Sequence, residues 1–375
     1  MYLKKVFLLM WFLFLLIIFP GCNKATQETP PLPENRPEAV KTVDKSEKKL
    51  ADYTNYRPLP GEVVRIIDPD NGPGTDYTSL QEFNHSEKRD LVRAQEIAVA
   101  LCRSSKGSAD QPAQIEGWVT SEQYYVKIIA DEGHRASARW DDRKYRIIEH
   151  TTINSECLDV EVDHLLVDGI QMLITGSGRS NDIIDPERGQ KYIIRNCYLR
   201  MELDNSSGYG IDLKSPADIY NCVFQGTGSA AIFAFPGAEV NVYNNTLVGW
   251  TNAIKNEGSV RAINNIAIGA SGKVFRSKDG GVFTADSDYN SAEYSGQGIV
   301  KAPRKNIEMP WHLQQVDQNE VFIDPANHDF RLKPGSLFEN AGVGPEANPL
   351  IPATDIEGRP RSGALTSLGA DVAGG

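Results

Sequence analysis

The chain has 375 residues, 40% of them hydrophobic and 24% charged, which is enough apolar material for a large core in one or two domains and the wrong composition for global disorder. A formal net charge of −11 argues against a nucleic-acid binder, because phosphates are bound by Lys and Arg that replace counterions. Glycine, at 32 residues, suits a turn-rich fold better than a helical one.

Residues 1–22 read as an export signal. Lys4 and Lys5 precede an apolar run from Val6 to Phe19, and Pro20-Gly21-Cys22 follows. The run is shorter than the ~20 residues of a membrane-spanning helix. This order resembles a bacterial lipoprotein signal, although Phe19 stands where that family usually has Leu. The resemblance implies lipidation at Cys22, a membrane partner reached through the lipid, and an extracytoplasmic location in the periplasm or on the cell surface. An uncleaved membrane anchor is the alternative. Residues 23–58 are rich in Pro, Lys and Glu and poor in aromatics, so they are expected to form a flexible tether.

Residues 59–150 are expected to form an N-terminal cap and the first coils of the repeat described next. Within them, "HRASARWDDRKYR", His134 to Arg146, carries five Lys or Arg residues and reads as a long loop packed on early coils, with a side wall for an anionic glycan as the sharper alternative. Trp118 and Trp250 read as packing residues. Cys102, Cys157, Cys197 and Cys222 show no zinc spacing; an exported location permits disulfides, and free buried thiols are the simpler expectation.

Between residues 151 and 300 the sequence repeats itself. "YIIRNCYLRM", "ADIYNCVFQG", "VNVYNNTLVG" and "VRAINNIAIG" align on Asn196, Asn221, Asn244 and Asn264; "HLLVDGIQML" extends the series upstream with Asp168 and "DSDYNS" downstream with Asp288. A period in the low twenties marks a solenoid. Two residues before the anchor come Leu166, Ile194, Ile219, Val242 and Ala262, whereas the position before those turns polar in the later copies, the alternation of a strand with one face inward. Asn tolerates left-handed backbone, so the anchor reads as a corner, with Asn stacked over Asn in an internal ladder.

These repeats resemble the right-handed parallel β-helix of the pectate-lyase-like superfamily, whose coils carry Asn ladders at one bend. The resemblance implies an all-β solenoid. "GPGTDYTSLQ", Gly72 to Gln81, is similar to the segment that leads into an N-terminal capping helix in such proteins, with Thr78-Ser79-Leu80-Gln81 as a capping box. "FIDPANHDFRLKPGS" and "DIEGRPRSGALTSLGAD", within residues 301–375, resemble an irregular C-terminal closing segment.

A second strand precedes each anchor by ten to thirteen residues, with Ile184, Ile211, Ile232, Ile254 and Phe275 predicted inward. The neighbouring column, Asp185, Asp212, Phe233, Lys255 and Arg276, then faces out, and so does Lys214, Phe235, Glu257 and Lys278. In related lyases and hydrolases the polysaccharide lies along this sheet. On that resemblance Phe233, Phe235, Lys214 and Glu257 are expected to bind substrate, Asp185 and Asp212 to hold Ca2+, and Lys255 and Arg276 to act in catalysis, Lys255 as the base of a β-elimination. An acidic glycan suits that strip. Equally, mixed charge is ordinary on the outside of a sheet. The arginine motif of pectate lyases and the clustered aspartates of polygalacturonases are missing, and "YGIDLKS" departs from alginate epimerases by Leu213-Lys214 in place of Pro-His. The sequence therefore predicts a monomeric polysaccharide-binding β-helix, with a lyase and a noncatalytic adhesin or structural protein as rival functions.

Overall fold

A computed structural model describes residues 50–187, 189–204, 207–292, 307–308 and 316–373. The alternating segments form three parallel sheets wound into a β-helix. Each turn lays one strand in each sheet: Tyr209–Leu213 in the third, Ala217–Tyr220 in the first and Val223–Gly226 in the second, followed one coil on by Ala230–Ala234, Glu239–Tyr243 and Thr246–Val248. Parallel pairing begins at Glu62–Ile67, well upstream of the recognisable repeats. The predicted inward column holds: Ile184, Ile211, Ile232, Ile254 and Phe275 are all fully buried. Burying each such side chain contributes about 1.5–3 kcal/mol, which is why so short a repeat can sustain a fold.

The corner between the first and second sheets carries the Asn anchors. Asn196, Asn221, Asn244 and Asn264 have φ of 53°, 54°, 52° and 60°, the left-handed region that Asn enters at little cost. Two ends of the series shift by one residue. Arg195 pairs with Asp168, so the corner belongs to Gly169 with φ 78°, and Ile263 bridges Asp288, so it passes to Tyr289 with φ 56°. The inward residue of that upstream copy is accordingly Val167, paired with Ile194, and Leu166 faces out beside Ile193.

The ladder inside the core stands one position further on. Asn245, Asn265 and Asn290 are fully buried, with Asn245 Nδ2 donating to Asn265 Oδ1 at 3.1 Å and Asn265 Nδ2 to Asn290 Oδ1 at 2.8 Å. Upstream coils fill this column with Cys222 and Cys197, free thiols buried like Cys102 and Cys157. The anchor asparagines also stack, Asn221 Nδ2 donating to Asn196 Oδ1 at 3.2 Å and Asn264 Nδ2 to Asn244 Oδ1 at 3.4 Å. Their cover comes from elsewhere: Asn221 Nδ2 reaches Thr354 O and Asn264 Nδ2 reaches Val343 O, each at 2.8 Å.

At the N-terminal side a helix spans Leu80–Glu87. Its cap is displaced by one residue from the expected box: Ser79 Oγ accepts the N–H of Glu82, and Glu82 returns to Thr78. Leu80 and Phe83 enter the main core, and Trp118 lies against Phe83 with its Nε1 donating to Asn84 Oδ1 at 2.6 Å. Residues 50–58, read from composition as the end of a tether, are packed: Leu50 is buried and Thr54 Oγ1 donates to Asp131 at 2.7 Å. The His134–Arg146 loop is pinned to the coils by Arg135 on Asp168 and by Trp140 edge-on to Tyr198.

The C-terminal segment runs lengthwise beside the coils. Val321, Phe322, Phe330, Phe338, Ile356 and Leu368 form a second core against Tyr198, Val223, Val248 and Ile266, the outward residues of the second sheet. No helix among the described residues is long and apolar enough to cross a membrane. Residues 1–49, including Cys22, lie outside the described residues.

Candidate functional site

The third sheet assembles the predicted outward strip in register. Asp212 pairs with Phe233, Phe233 with Lys255, and Lys255 with Arg276, so these residues occupy successive coils ~4.8 Å apart. The surroundings differ along its length.

In the middle is an aromatic group. Phe233 is only 3% exposed, with Tyr209 and Phe235 at ring separations of 4.9 Å and 4.1 Å and the Lys255 ammonium 3.6 Å from its ring centroid. Lys255 Nζ also lies 3.6 Å from Glu257 and 3.4 Å from the Tyr209 hydroxyl. These contacts hold the amine between a ring face, a carboxylate and a phenol. Phe235 remains half-buried and Tyr209 half-exposed, so those rings, with Phe233 as their support, form the accessible aromatic surface. Beyond Lys255, Arg276 is half-exposed and, among the described residues, has no carboxylate within ion-pairing distance. Lys278 pairs with Asp279 at 2.8 Å and reaches Glu257 at 3.8 Å.

At the other end carboxylates converge. Asp182, Asp185 and Asp212 each present an oxygen within 4.8 Å of the others. Burial and the neighbouring Asp212 push Asp182 up to about 8; burial and Asp185 push Asp212 up to about 7. Burial and the charge of Asp185 raise Glu156, which pairs with Asp182 on the adjacent strand, to about 6. Lys214 Nζ offsets part of this charge, 3.3 Å from Asp185 and 3.1 Å from Glu187. Asp212 is 7% exposed, and its Oδ1 is buried without a hydrogen-bond partner among the described residues.

These carboxylates fit Ca2+. Two oxygens on one calcium, each at 2.3–2.6 Å, stand no more than about 5 Å apart, and an orphaned buried carboxylate oxygen is what a cation would satisfy. Asp182 is the third carboxylate of the cluster, the one that strict alternation hides. The strand begins with two successive core residues, Ile183 and Ile184, a pattern repeated by Ala231-Ile232 and Ala253-Ile254. That doubling turns Asp182 back to the outer face, and Gly210 takes the same place after Tyr209. A pair of consecutive apolar residues recurring once per coil was the available signal.

No protein-family model and no curated protein sequence matches this chain.

Proposed function

We propose that the chain is an extracytoplasmic protein of the pectate-lyase-like superfamily that binds an acidic polysaccharide along its third sheet. One observation carries the reading: carboxylates suited to calcium, an aromatic surface and a guanidinium with no carboxylate partner among the described residues stand in that order on successive coils. Asp182, Asp185 and Asp212 would hold Ca2+, which supplies a positive centre for a uronate carboxylate. Tyr209 and Phe235 would lie against sugar faces, Arg276 would pair with a second carboxylate, and Lys214 and Glu257 would meet ring hydroxyls. The export signal with Cys22 supports a location outside the cytoplasm, held at a membrane by lipid.

Calorimetric titration of the purified protein with polygalacturonate and alginate, with and without calcium, tests this. Calcium-dependent binding that falls about tenfold or more in Asp212→Asn and in Arg276→Ala supports it. Binding indifferent to calcium and to both substitutions rejects it.

The second reading is a lyase. Elimination needs a base for the proton beside the carboxylate and neutralisation of that carboxylate. Calcium and Arg276 serve the second need, while Lys255, held between Glu257 and a ring face, is arranged to bind an anion. Unsaturated ends appearing in ultraviolet absorbance would establish the lyase; binding without them leaves a noncatalytic glycan-binding surface.

A further inference from the structure

A second cleft opens on the first sheet, around the solenoid from the strip. Its volume is about 560 Å3, and it lies between the outer faces of Arg195, Tyr220 and Tyr243, on three successive coils, and a roof made by residues 349–354. The floor is rigid because it is sheet. The roof is fixed by Thr354 O, which accepts from Asn221 at 2.8 Å, by Ala353 O, which accepts the Arg361 N–H at 2.8 Å, and by Pro349 and Pro352. Its size falls within the ~300–1,000 Å3 range of small-ligand sites.

The Tyr243 hydroxyl sits in a residue 5% exposed, with the Arg261 guanidinium close beside it, and among the described residues it makes no well-formed hydrogen bond. A buried phenol normally finds a partner, and Arg261 can only donate to it, so its own proton still awaits an acceptor. Next to it the Tyr220 hydroxyl accepts from Arg195 Nη1 at 3.0 Å, which leaves its own proton to donate. The charged groups of the cleft are already engaged, Arg195 on an Asp168 that Arg135 shares. Arg195 Nε donates to Asp168 at 2.9 Å, and Asp218 is paired with Lys191 at 2.8 Å and accepts from Asn241 at 2.7 Å.

We infer that this cleft is a binding site for a neutral saccharide. Tyrosine rings meet the C–H faces of a sugar, and its hydroxyls, each both donor and acceptor, suit a lining of phenols, amides and internally paired charges. Its charged lining is one guanidinium and one carboxylate, Arg195 and Asp218, so an anionic ligand would meet a carboxylate beside the only cation of the described lining. A peptide gains nothing from the sheet's backbone, because the cleft lies on a sheet face whose ladder is complete. The site stands on different residues from the calcium and arginine strip, so failure of either assignment leaves the other intact.

The test is calorimetry of the full chain against cello-, xylo-, manno- and chitohexaose, with hexagalacturonate as the charged comparison. One or more neutral probes should bind. Tyr243→Phe, which removes the hydroxyl and keeps the ring, should weaken that binding about tenfold, and Tyr220→Ala should weaken it further while circular dichroism stays native. Asp212→Asn and Arg276→Ala should leave it unchanged. The inference is overturned if no neutral probe binds, if Tyr243→Phe binds like the unmodified protein, or if hexagalacturonate alone responds to Tyr243→Phe.

Discussion

Asn264 and Val343 clasp each other across 79 residues of sequence: the side-chain amide of Asn264 donates to the Val343 carbonyl at 2.8 Å and accepts the Val343 N–H at 3.0 Å. A side chain here substitutes for a strand edge, and the partner fits closely. A Cβ at Gly342 would come 2.7 Å from Asn264 Oδ1. Asn264→Ala should therefore cost about 1–3 kcal/mol, since it strands two buried backbone groups. The loss should appear in urea unfolding together with faster proteolysis beyond residue 316; a stability loss with an unchanged cleavage pattern would separate the corner from the C-terminal segment.

The two asparagines of each pair should not be equivalent. Asn265 donates to Val242 O, Ile263 O and Asn290, and accepts from both nitrogens of Asn245, all within the core. Asn244 Nδ2, by contrast, has no partner among the described residues. Asn265→Ala should lose roughly 3 kcal/mol or more, and Asn244→Ala about 1 kcal/mol. Equal losses would contradict this ranking.

The corner was legible because left-handed backbone restricts residue choice, and the inward isoleucines because alternation is regular. The errors have the same physical origin. Gly169 needs no Asn to turn left-handed, and at the far end Tyr289 turns while Asn290 keeps its place in the core ladder, so aligning on polarity misplaced Asp168 and Asp288 by one. Asp182 escaped because two core residues, Ile183 and Ile184, follow it in succession, and Tyr209 because Gly210 stands between it and Ile211. The docking of residues 343, 354 and 361 on the corner joins irregular chain to positions 79, 133 and 140 residues away, and irregular chain has no period to betray it.

Stability should depend on pH through the acidic cluster. In the folded protein Asp182 keeps its proton to about 8 and Asp212 to about 7. Unfolded, both release it near the ordinary Asp value of ~4. Between these limits the native state binds more protons, so calcium-free stability should fall as pH rises from about 4 to 8 and then level off. Burial raises Asp110 to about 6 and adds to the same slope. Unfolding free energy measured in chelator should decline by on the order of a few kcal/mol across this range, a decline that Asp182→Asn reduces and added calcium reverses at pH 8. A profile flat over this range would remove the case for a buried acidic cluster.

Phe233 and Phe235 should separate by phenotype. Phe233 is enclosed by Tyr209, Phe235 and Lys255, so Phe233→Ala should lower stability by about 2–4 kcal/mol. Phe235 is partly open, and Phe235→Ala should cost under about 1.5 kcal/mol while weakening polyuronate binding. Thermal melts with binding measured on the still-folded variants distinguish them; a stable Phe233→Ala would mean that the Tyr209 ring closes the gap.

The lengthwise course of the C-terminal segment changes what kind of object the solenoid is. Stacked coils that touch only their neighbours fray from the ends and unzip one turn at a time. Here Phe330 N–H bonds Ala138 O, His328 O accepts from Tyr198, Arg361 reaches Asn221, Val343 holds Asn264, and Ala370 N–H bonds Thr246, so one strap touches coils from residue 138 to residue 264. Loosening any single coil then loosens the strap that braces the rest. The chain should melt as one cooperative unit in which early and late coils exchange amide hydrogens together, a two-state behaviour that repeat architecture by itself does not confer.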